Sequence, residues 1–239
     1  MSELRDVKIS GSGTIAGGEY NIVKISGSGK IDGDVRCKII GISGCASIDG
    51  YIYTDELKIS GSCKIIGDTK CEIGKVSGSA TIEGNMSGKE IRISGGTKIA
   101  GNMNFNTIET SGSLTTSGDV EGENVIINGV CKVDGLINGE NIDIKLHSKS
   151  CSKEIGGEKI TISGRETSSL LRIFSKAASR GSFVCESIEG NEIDIEYTES
   201  SVVRGRNINI GPGCKISKVE YYDTLEIHEN AEVSEKIKL

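Results

Sequence analysis

The sequence predicts an all-β protein, a right-handed parallel β-helix (β-solenoid) with about 17 residues per coil and 13–14 coils. Two observations lead to this fold class. An apolar residue followed by a Ser-Gly pair recurs at a nearly constant spacing, which indicates a repeat architecture. The chain also contains 33 glycines, one proline and only 4% aromatic residues, so its interior must be narrow and filled by stacked Ile and Val.

The repeat unit is typified by residues 58–67, Lys-Ile-Ser-Gly-Ser-Cys-Lys-Ile-Ile-Gly, with Ile59 as its apolar anchor. Successive anchors are separated by one step of 16, then seven of 17, then one of 18. A longer gap after Ile162, interpreted as about two further periods, precedes the last anchors. A period of 17 is too short for helical or leucine-rich repeats. The anchors are Ile9, Ile25, Ile42, Ile59, Val76, Ile93, Thr110, Ile127, Ile144, Ile162, Ile195, Ile210 and Ile227.

Each period contains three short strands that are separated by glycine corners. Alternating apolar residues such as Leu57 and Ile59 mark the first strand, because period-two apolar runs are typical of strands. Further apolar sites follow the anchor by six residues, as at Ile65, and by ten residues, as at Val35. Glycine at a corner provides either positive φ or close approach of two backbones. The unequal 6-4-7 division favours a right-handed helix over left-handed hexapeptide coils.

We expect residues 1–239 to form a single solenoid domain, because no linker interrupts the period. The N-terminus has no cleavage pattern, and nowhere do 18 apolar residues follow one another. The sequence therefore predicts a cytoplasmic protein that neither is exported by a standard signal nor spans a membrane.

The charge pattern argues against a nucleic-acid partner. Outward positions carry a partial row of basic residues, but the net charge is -6 and no aromatic residues are interleaved with them. We interpret this row as a solvated sheet face. It comprises Lys8, Lys24, Lys58, Lys75 and Arg92.

The eight cysteines are interpreted as small interior residues and not as ligands. Cys63, Cys131 and Cys214 lie four residues after an anchor, while Cys37 and Cys71 share another position two coils apart, which is too far for a disulfide. There is no Cys-x-x-Cys, so we expect no metal site, no cofactor and no catalytic residue.

Residues 165–181 interrupt the repeat, and two interpretations are open. They form either a helical excursion from one coil or a degenerate coil. A helix would carry an apolar side that folds back on the solenoid or makes a weak contact with an anionic membrane or a partner. The residues of that contact are Leu170, Leu171, Phe174, Arg172, Lys176 and Arg180.

The two ends of the solenoid are the candidate interaction sites. An uncapped end exposes a strand edge and a section of core, and neither terminus supplies an obvious cap. Pairing of ends would bury these edges, and repeated pairing would give a filament. The expected polymerisation residues are Val7, Ile9 and Ile15 at one end and Leu225, Ile227 and Val233 at the other.

The repeated Lys-Ile-Ser-Gly-Ser-Gly-x-Ile-x-Gly pattern resembles that of bactofilins, polymer-forming bacterial cytoskeletal proteins. The runs 142–145, 153–160 and 202–207 resemble the longer members from spore-forming bacteria. The resemblance implies a right-handed β-helix of triangular section and nucleotide-independent polymerisation that supports cell shape, polarity or motility. It implies the protein itself as the partner, or a paralogous polymer-forming protein. Because this chain has more coils and almost no tails, the family's filament contacts and membrane-targeting peptide do not transfer to it.

Two alternative functions remain at this stage. A solenoid enzyme could act on polysaccharide or acyl groups, but Asp32, Asp49 and Asp134 are scattered over different coils and the chain has only two histidines. A capped binding module that needs a partner is the other alternative.

Overall fold

The computed structural model describes residues 4–164 and 181–239. These residues contain strands and no helix, so no helix of the described part is long and apolar enough to cross a membrane. The chain divides into two compact units, residues 1–122 and 123–239, and each unit is described by itself. The expectation of one continuous domain stays a prediction.

The first unit contains thirteen complete strands in its described part. They are β1 (Val7–Ile9), β2 (Ser12–Glu19), β3 (Ile22–Ile25), β4 (Ser28–Ile42), β5 (Cys45–Asp49), β6 (Ile52–Ile59), β7 (Ser62–Ile65), β8 (Thr69–Val76), β9 (Ser79–Ile82), β10 (Met86–Ile93), β11 (Gly96–Ile99), β12 (Met103–Thr110) and β13 (Ser113–Thr116).

Strand β14 (Val120–Val133) contains the boundary between the units, and seven strands follow it in the described residues. They are β15 (Leu136–Leu146), β16 (Lys149–Cys151), β17 (Glu154–Gly164), β18 (Ser182–Ile195), β19 (Thr198–Ile210), β20 (Lys215–Ile227) and β21 (Glu232–Lys238).

The strands form a parallel β-solenoid, and its register confirms the predicted repeat. In the first unit Ile42 pairs with Ile59, and Ile59 pairs with Val76, so neighbouring coils are offset by one repeat period. In the second unit Ile144 pairs with Ile162 and Ile210 pairs with Ile227. In these pairs the anchor of one coil stacks on the anchor of the next coil.

Six side chains of a typical coil point inward. The outward residues between them are mostly charged, as the alternating burial of β6 and β7 shows. The interior is consequently built from six columns of stacked residues, and in each column one coil supplies one side chain. In one coil these positions, numbered first to sixth, are Ile52, Thr54, Leu57, Ile59, Cys63 and Ile65.

The second inward position carries residues of very different size. In the first unit its column runs Cys37, Thr54, Cys71, Gly88 and Phe105. Phe105 is fully buried, and a Cβ on Gly88 would lie 2.7 Å from its ring. The absent side chain of one coil thus provides the space for the large side chain of the next.

The glycine of the Ser-Gly pair is required by close backbone approach. A Cβ on Gly61 would lie 1.9 Å from the carbonyl oxygen of Gly44 in the preceding coil, and Gly27, Gly44, Gly78, Gly95 and Gly112 have equivalent contacts. These glycines do not have positive φ, so the predicted alternative of positive φ applies elsewhere, at Gly18, Gly33, Gly67 and Gly213.

Polar side chains link successive coils at another corner of the first unit. Asp34 accepts a hydrogen bond from the backbone N–H of Tyr51, which is 17 residues further along the chain. Asp68 and Asn85 accept equivalent bonds from the N–H groups one coil later, as does Asn102, with distances of 2.8–3.0 Å. We call these four residues the corner ladder.

Two details of the sequence prediction need correction. First, two of the three predicted strands in a coil are continuous: β6 runs from Ile52 to Ile59. At the bend within it, the Thr54 hydroxyl lies 3.0 and 3.1 Å from the carbonyl oxygens of Lys38 and Glu56, to one of which it donates its proton. Second, Ile162 pairs directly with Ile195, so the long interval between them is one register step and not two periods. Residues 165–180, for which a helical excursion or a degenerate coil is predicted, lie outside the described residues.

Six of the eight cysteines confirm the prediction of interior thiols, whereas it is wrong for Cys45 and only partly met by Cys151. Cys63, Cys131, Cys214, Cys37 and Cys71 are buried and free, and so is Cys185, whereas Cys45 is exposed and Cys151 half-buried. Burial raises the pKa of Cys63, Cys71, Cys131 and Cys185 to about 12. Because the thiolate is the reactive form, these side chains are chemically inert packing residues.

Candidate polymerisation ends

At the N-terminal end of the first unit, the apolar columns lose their cover. Ile9 is 7% exposed although the next anchor, Ile25, is fully buried. Val7 and Ile15 are half-buried, so all three predicted residues lie on this end as expected from the sequence. Their burial is incomplete because no further coil among the described residues covers them.

The backbone of this end is also open. Strand β1 pairs with β3 along one edge. Within the described residues 4–122, no strand pairs with its other edge. A Cβ on Gly11 would meet nothing within 4 Å, whereas the equivalent Gly27 faces the Gly11 carbonyl at 2.1 Å. Gly11 therefore occupies a close-approach position at which the described chain supplies no neighbouring backbone.

A tyrosine covers one side of the N-terminal end. Tyr20 follows the register pair Glu19 and Arg36, which places it at the second inward position next to Cys37. Its ring is buried at 3% exposure, and its hydroxyl donates to the carbonyl of Ala16 at 2.7 Å. The Arg5 guanidinium lies 5.5 Å from the ring centroid, so a cation covers the tyrosine from outside.

The C-terminal end of the second unit shows the same loss of cover. Leu225, Ile227 and Val233 are half-buried, while their neighbours in the preceding coil, Ile208, Ile210 and Ile216, are at most 2% exposed. The three predicted residues thus lie at this end, where their columns stop in the described structure.

A tyrosine and a cation also cover one side of this end. Tyr221 pairs with Gly205 and so occupies the second inward position, and Lys238 lies 5.8 Å from its ring. Lys236 pairs with Val219, which places a second lysine at an inward register position. The expectation of uncapped ends is corrected in part: each end has one closed side and leaves its other apolar columns open.

Neither tyrosine is among the end residues predicted from the sequence. The available signal was that Tyr20 and Tyr221 stand at a repeat position that elsewhere favours glycine, cysteine or threonine. Their role as covers depends on cations that lie about one coil away, Arg5 and Lys238, and the period alone does not reveal which residue types stand there.

An ion-pair cluster in the last coils joins one buried glutamate to two partly exposed cations. Glu220 is 7% exposed and accepts from Lys218 at 2.7 Å and from Arg204 at 2.6 Å. The hydrogen bonds from Lys218 and Arg204 lower the pKa of this carboxyl group. Glu220 is thus held ionised beside the C-terminal end.

A shallow trough of about 600 Å³ lies on the second unit. The residues that line it include Glu186, Glu199, Lys153 and Lys215. Ser152 also lines it, and the hydroxyl of this buried residue has no hydrogen-bond partner among the described residues. The trough is a secondary candidate region that sequence reasoning did not identify.

The predicted membrane or partner contact is not placed by the structure. Its residues, Leu170, Leu171, Arg172, Phe174, Lys176 and Arg180, lie outside the described residues. That contact stays a prediction.

Comparison with known proteins gives two partial relatives. The chain is 38% identical over 100 residues to the uncharacterized protein YhbF of Bacillus subtilis (strain 168), a match of 41% of this chain and 40% of the relative. It is 33% identical over 102 residues to the uncharacterized protein YhbE of the same strain, covering 42% and 41%. The chain thus spans about two fifths of the length of each relative. No family model and no solved structure matches.

Proposed function

We propose that this protein is a structural scaffold that assembles end to end into nucleotide-independent filaments of the bactofilin type in the cytoplasm. The partner is another copy of the same chain or a paralogous polymer-forming protein. Such filaments would support cell shape, polarity or motility, without a cofactor and without catalysis. The membrane contact of residues 165–181 remains part of this proposal.

The observation that carries the proposal is the incomplete burial of the terminal coils. Apolar columns that are fully covered inside each unit reach the ends with half-buried residues, and the strand edges there have no partner in the described chain. Unpaired edges are templates for further strands. A second copy would cover both the apolar side chains and the edge hydrogen-bonding groups.

Gly11 adds independent support. In the inner coils of the first unit, as at Gly27 and Gly61, this position must be glycine because a Cβ would collide with a carbonyl oxygen of the preceding coil. At Gly11 no described residue imposes that requirement, yet the position is compatible with a closely approaching backbone. A stacked copy that continues the register would supply that backbone.

The test compares Gly11→Ala with Gly96→Ala, because a Cβ at either position would meet nothing within 4 Å in the described chain. We expect the wild type and Gly96→Ala to form filaments without nucleotide in negative-stain electron microscopy. Gly11→Ala should keep the same circular dichroism spectrum and thermal midpoint but remain small in light scattering, because its methyl group blocks the approaching carbonyl.

A double variant, Leu225→Arg with Ile227→Arg, tests the other end and should also abolish filaments. Wild-type protein that stays monomeric at high concentration would refute the proposal. Assembly of Gly11→Ala at the wild-type concentration would show that the N-terminal end is not a joint.

The alternative of a solenoid enzyme that acts on polysaccharide or acyl groups has one supporting feature, the trough on the second unit. Its candidate acid–base groups are Glu186 and Glu199. In the scaffold proposal, replacing both by glutamine leaves assembly unchanged.

A further inference from the structure

We propose that the trough on the second unit is a binding site for a linear, uncharged oligosaccharide. This inference goes beyond the proposed function, because a scaffold can assemble whether or not the site is occupied. Residues from six register-paired strands, between Val133 and Ser234, line the trough. With neighbouring strands about 4.8 Å apart, it extends over about 24 Å along the stack of coils. A groove of this length accommodates an extended chain.

The floor of the trough lies where the sixth inward column carries small residues. Three small side chains there stand between two aliphatic ones, at a position where a coil of the first unit has Ile65. In order along the column, the register stacks Val133, Ser152, Cys185, Ser200 and Ile216.

The hydroxyl of Ser152 is an unused hydrogen-bonding group at this floor. Ser152 is 7% exposed, and of the five buried side-chain oxygens without a partner among the described residues, its hydroxyl is the one that lines the trough. Ser200 is also buried, but its hydroxyl lies 3.1 Å from the carbonyl oxygen of Val202. Buried polar groups are normally hydrogen-bonded, because an unsatisfied one is destabilising. A hydroxyl of a bound ligand would satisfy Ser152.

Exposed charged residues alternate in sign along the two outward rows that flank this floor. None of the six forms an ion pair with another described residue, although Lys64 and Glu83, on neighbouring coils of the first unit, pair at 2.8 Å. Their charged groups are therefore available to a ligand. In order, the rows are Asp134, Lys153 and Glu186, and Glu199, Lys215 and Glu232.

The alternation of sign selects an uncharged ligand. A polyanion would lie against four carboxylates, and a polycation would meet the ammonium groups of Lys153 and Lys215. No aromatic side chain lines the trough, so a base would find no stacking surface. A sugar hydroxyl both donates and accepts, so it can bond to a carboxylate, an ammonium or a serine hydroxyl. Three further hydroxyls lie along one wall, those of Ser201, Ser217 and Ser234.

An extended peptide is the alternative ligand for a groove of this length. Peptides are often bound by pairing with a free strand edge. The strands β18, β19 and β20 of the floor are each paired on both sides, so they offer no free edge. Recognition in the trough must therefore use side chains, and these are the hydrogen-bonding groups that match sugar hydroxyls.

Saturation-transfer difference NMR tests the proposal with maltoheptaose, cellohexaose and N-acetylchitohexaose, at protein concentrations below assembly. We expect the wild type to bind at least one of them. Ser152→Val, which removes the floor hydroxyl, and Lys215→Ala, which removes an exposed donor, should each weaken binding by about tenfold. Lys98→Ala, an equivalent change of an exposed lysine outside the trough, should bind like the wild type. Circular dichroism verifies that each variant is folded, and Lys215→Ala carries the test if Ser152→Val is not.

Three outcomes would overturn the inference. The first is a wild type that binds none of the three glycans at millimolar concentration. The second is binding that survives both trough variants, which would place the site elsewhere. The third is tighter binding of spermine, polyphosphate or a Gly-Ser heptapeptide than of any glycan, which would contradict the ligand class. In each case the filament proposal stands, because electron microscopy of Gly11→Ala tests it separately.

Discussion

Replacing the glycine of an internal Ser-Gly corner by alanine should break the packing between two coils. At Gly61 the added Cβ would lie 1.9 Å from the Gly44 carbonyl oxygen, and both atoms are fixed by backbone. Relief of this clash requires a backbone shift of about 1 Å, because a normal contact is above 3.0 Å.

Such a shift would lengthen three hydrogen bonds around the corner. The N–H groups of Ser60 and Gly61 donate to the carbonyl of Ile42 at 2.8 and 3.2 Å, and Ser62 donates to Gly44 at 2.9 Å. Each net hydrogen bond contributes about 1 kcal/mol. We therefore expect Gly61→Ala to lower the free energy of unfolding by about 3 kcal/mol.

The matched control is Gly11→Ala, which sits at the equivalent position without a neighbouring backbone and should change stability by less than about 0.5 kcal/mol in the monomer. Urea denaturation followed by circular dichroism, at concentrations below assembly, measures both variants. If the stability of Gly61→Ala were within about 1 kcal/mol of that of Gly11→Ala, the argument from close backbone approach would be refuted.

Two further predictions concern thiols and protons. With a thiol reagent at pH 8, Cys45 should react fast and Cys151 more slowly, because only these two cysteines are accessible to the reagent. The interior thiols, several with a pKa of about 12, should react only after unfolding. Cys45→Ser should remove the fast phase, and a second fast phase in the wild type would contradict the burial of the other cysteines. Because the folded pKa of Glu220 is lowered, its ion pairs stabilise the protein above the ordinary glutamate pKa of about 4.3, and this contribution is lost as the pH falls through the folded value. The stability gap between wild type and Glu220→Gln, measured by urea denaturation, should therefore be present at pH 7 and shrink below pH 4; a constant gap would refute the assignment.

The solenoid could be predicted from sequence because one physical constraint repeats in every coil. An inward residue must stack on its equivalent one coil away, so anchors such as Ile42, Ile59 and Val76 recur at the coil length. The predicted end residues follow from the same rule, since the first and last members of each column have a neighbour on one side only.

The remaining features could not be predicted, because they depend on contacts that do not repeat. The cover of Tyr221 by Lys238 joins register partners one coil apart, but these two residue types are not the ones that the repeat favours at that position. The direct pairing of Ile162 with Ile195 is likewise hidden, because an interval of this length fits two periods as well as one irregular coil. The trough on the second unit is lined by residues from several coils, and the repeat pattern does not mark it.

The corner ladder gives the stack of coils a chemical direction. Each carboxylate or amide oxygen, as at Asp68, reaches toward the coil that follows in sequence, while each close-packed glycine, as at Gly61, faces the coil that precedes it. The two surfaces of a coil are therefore different, and a coil turned over would present its acceptors to the wrong neighbour. A coil therefore fits such an array in one orientation only, with its acceptors toward the following coil and its close-packed glycine toward the preceding one.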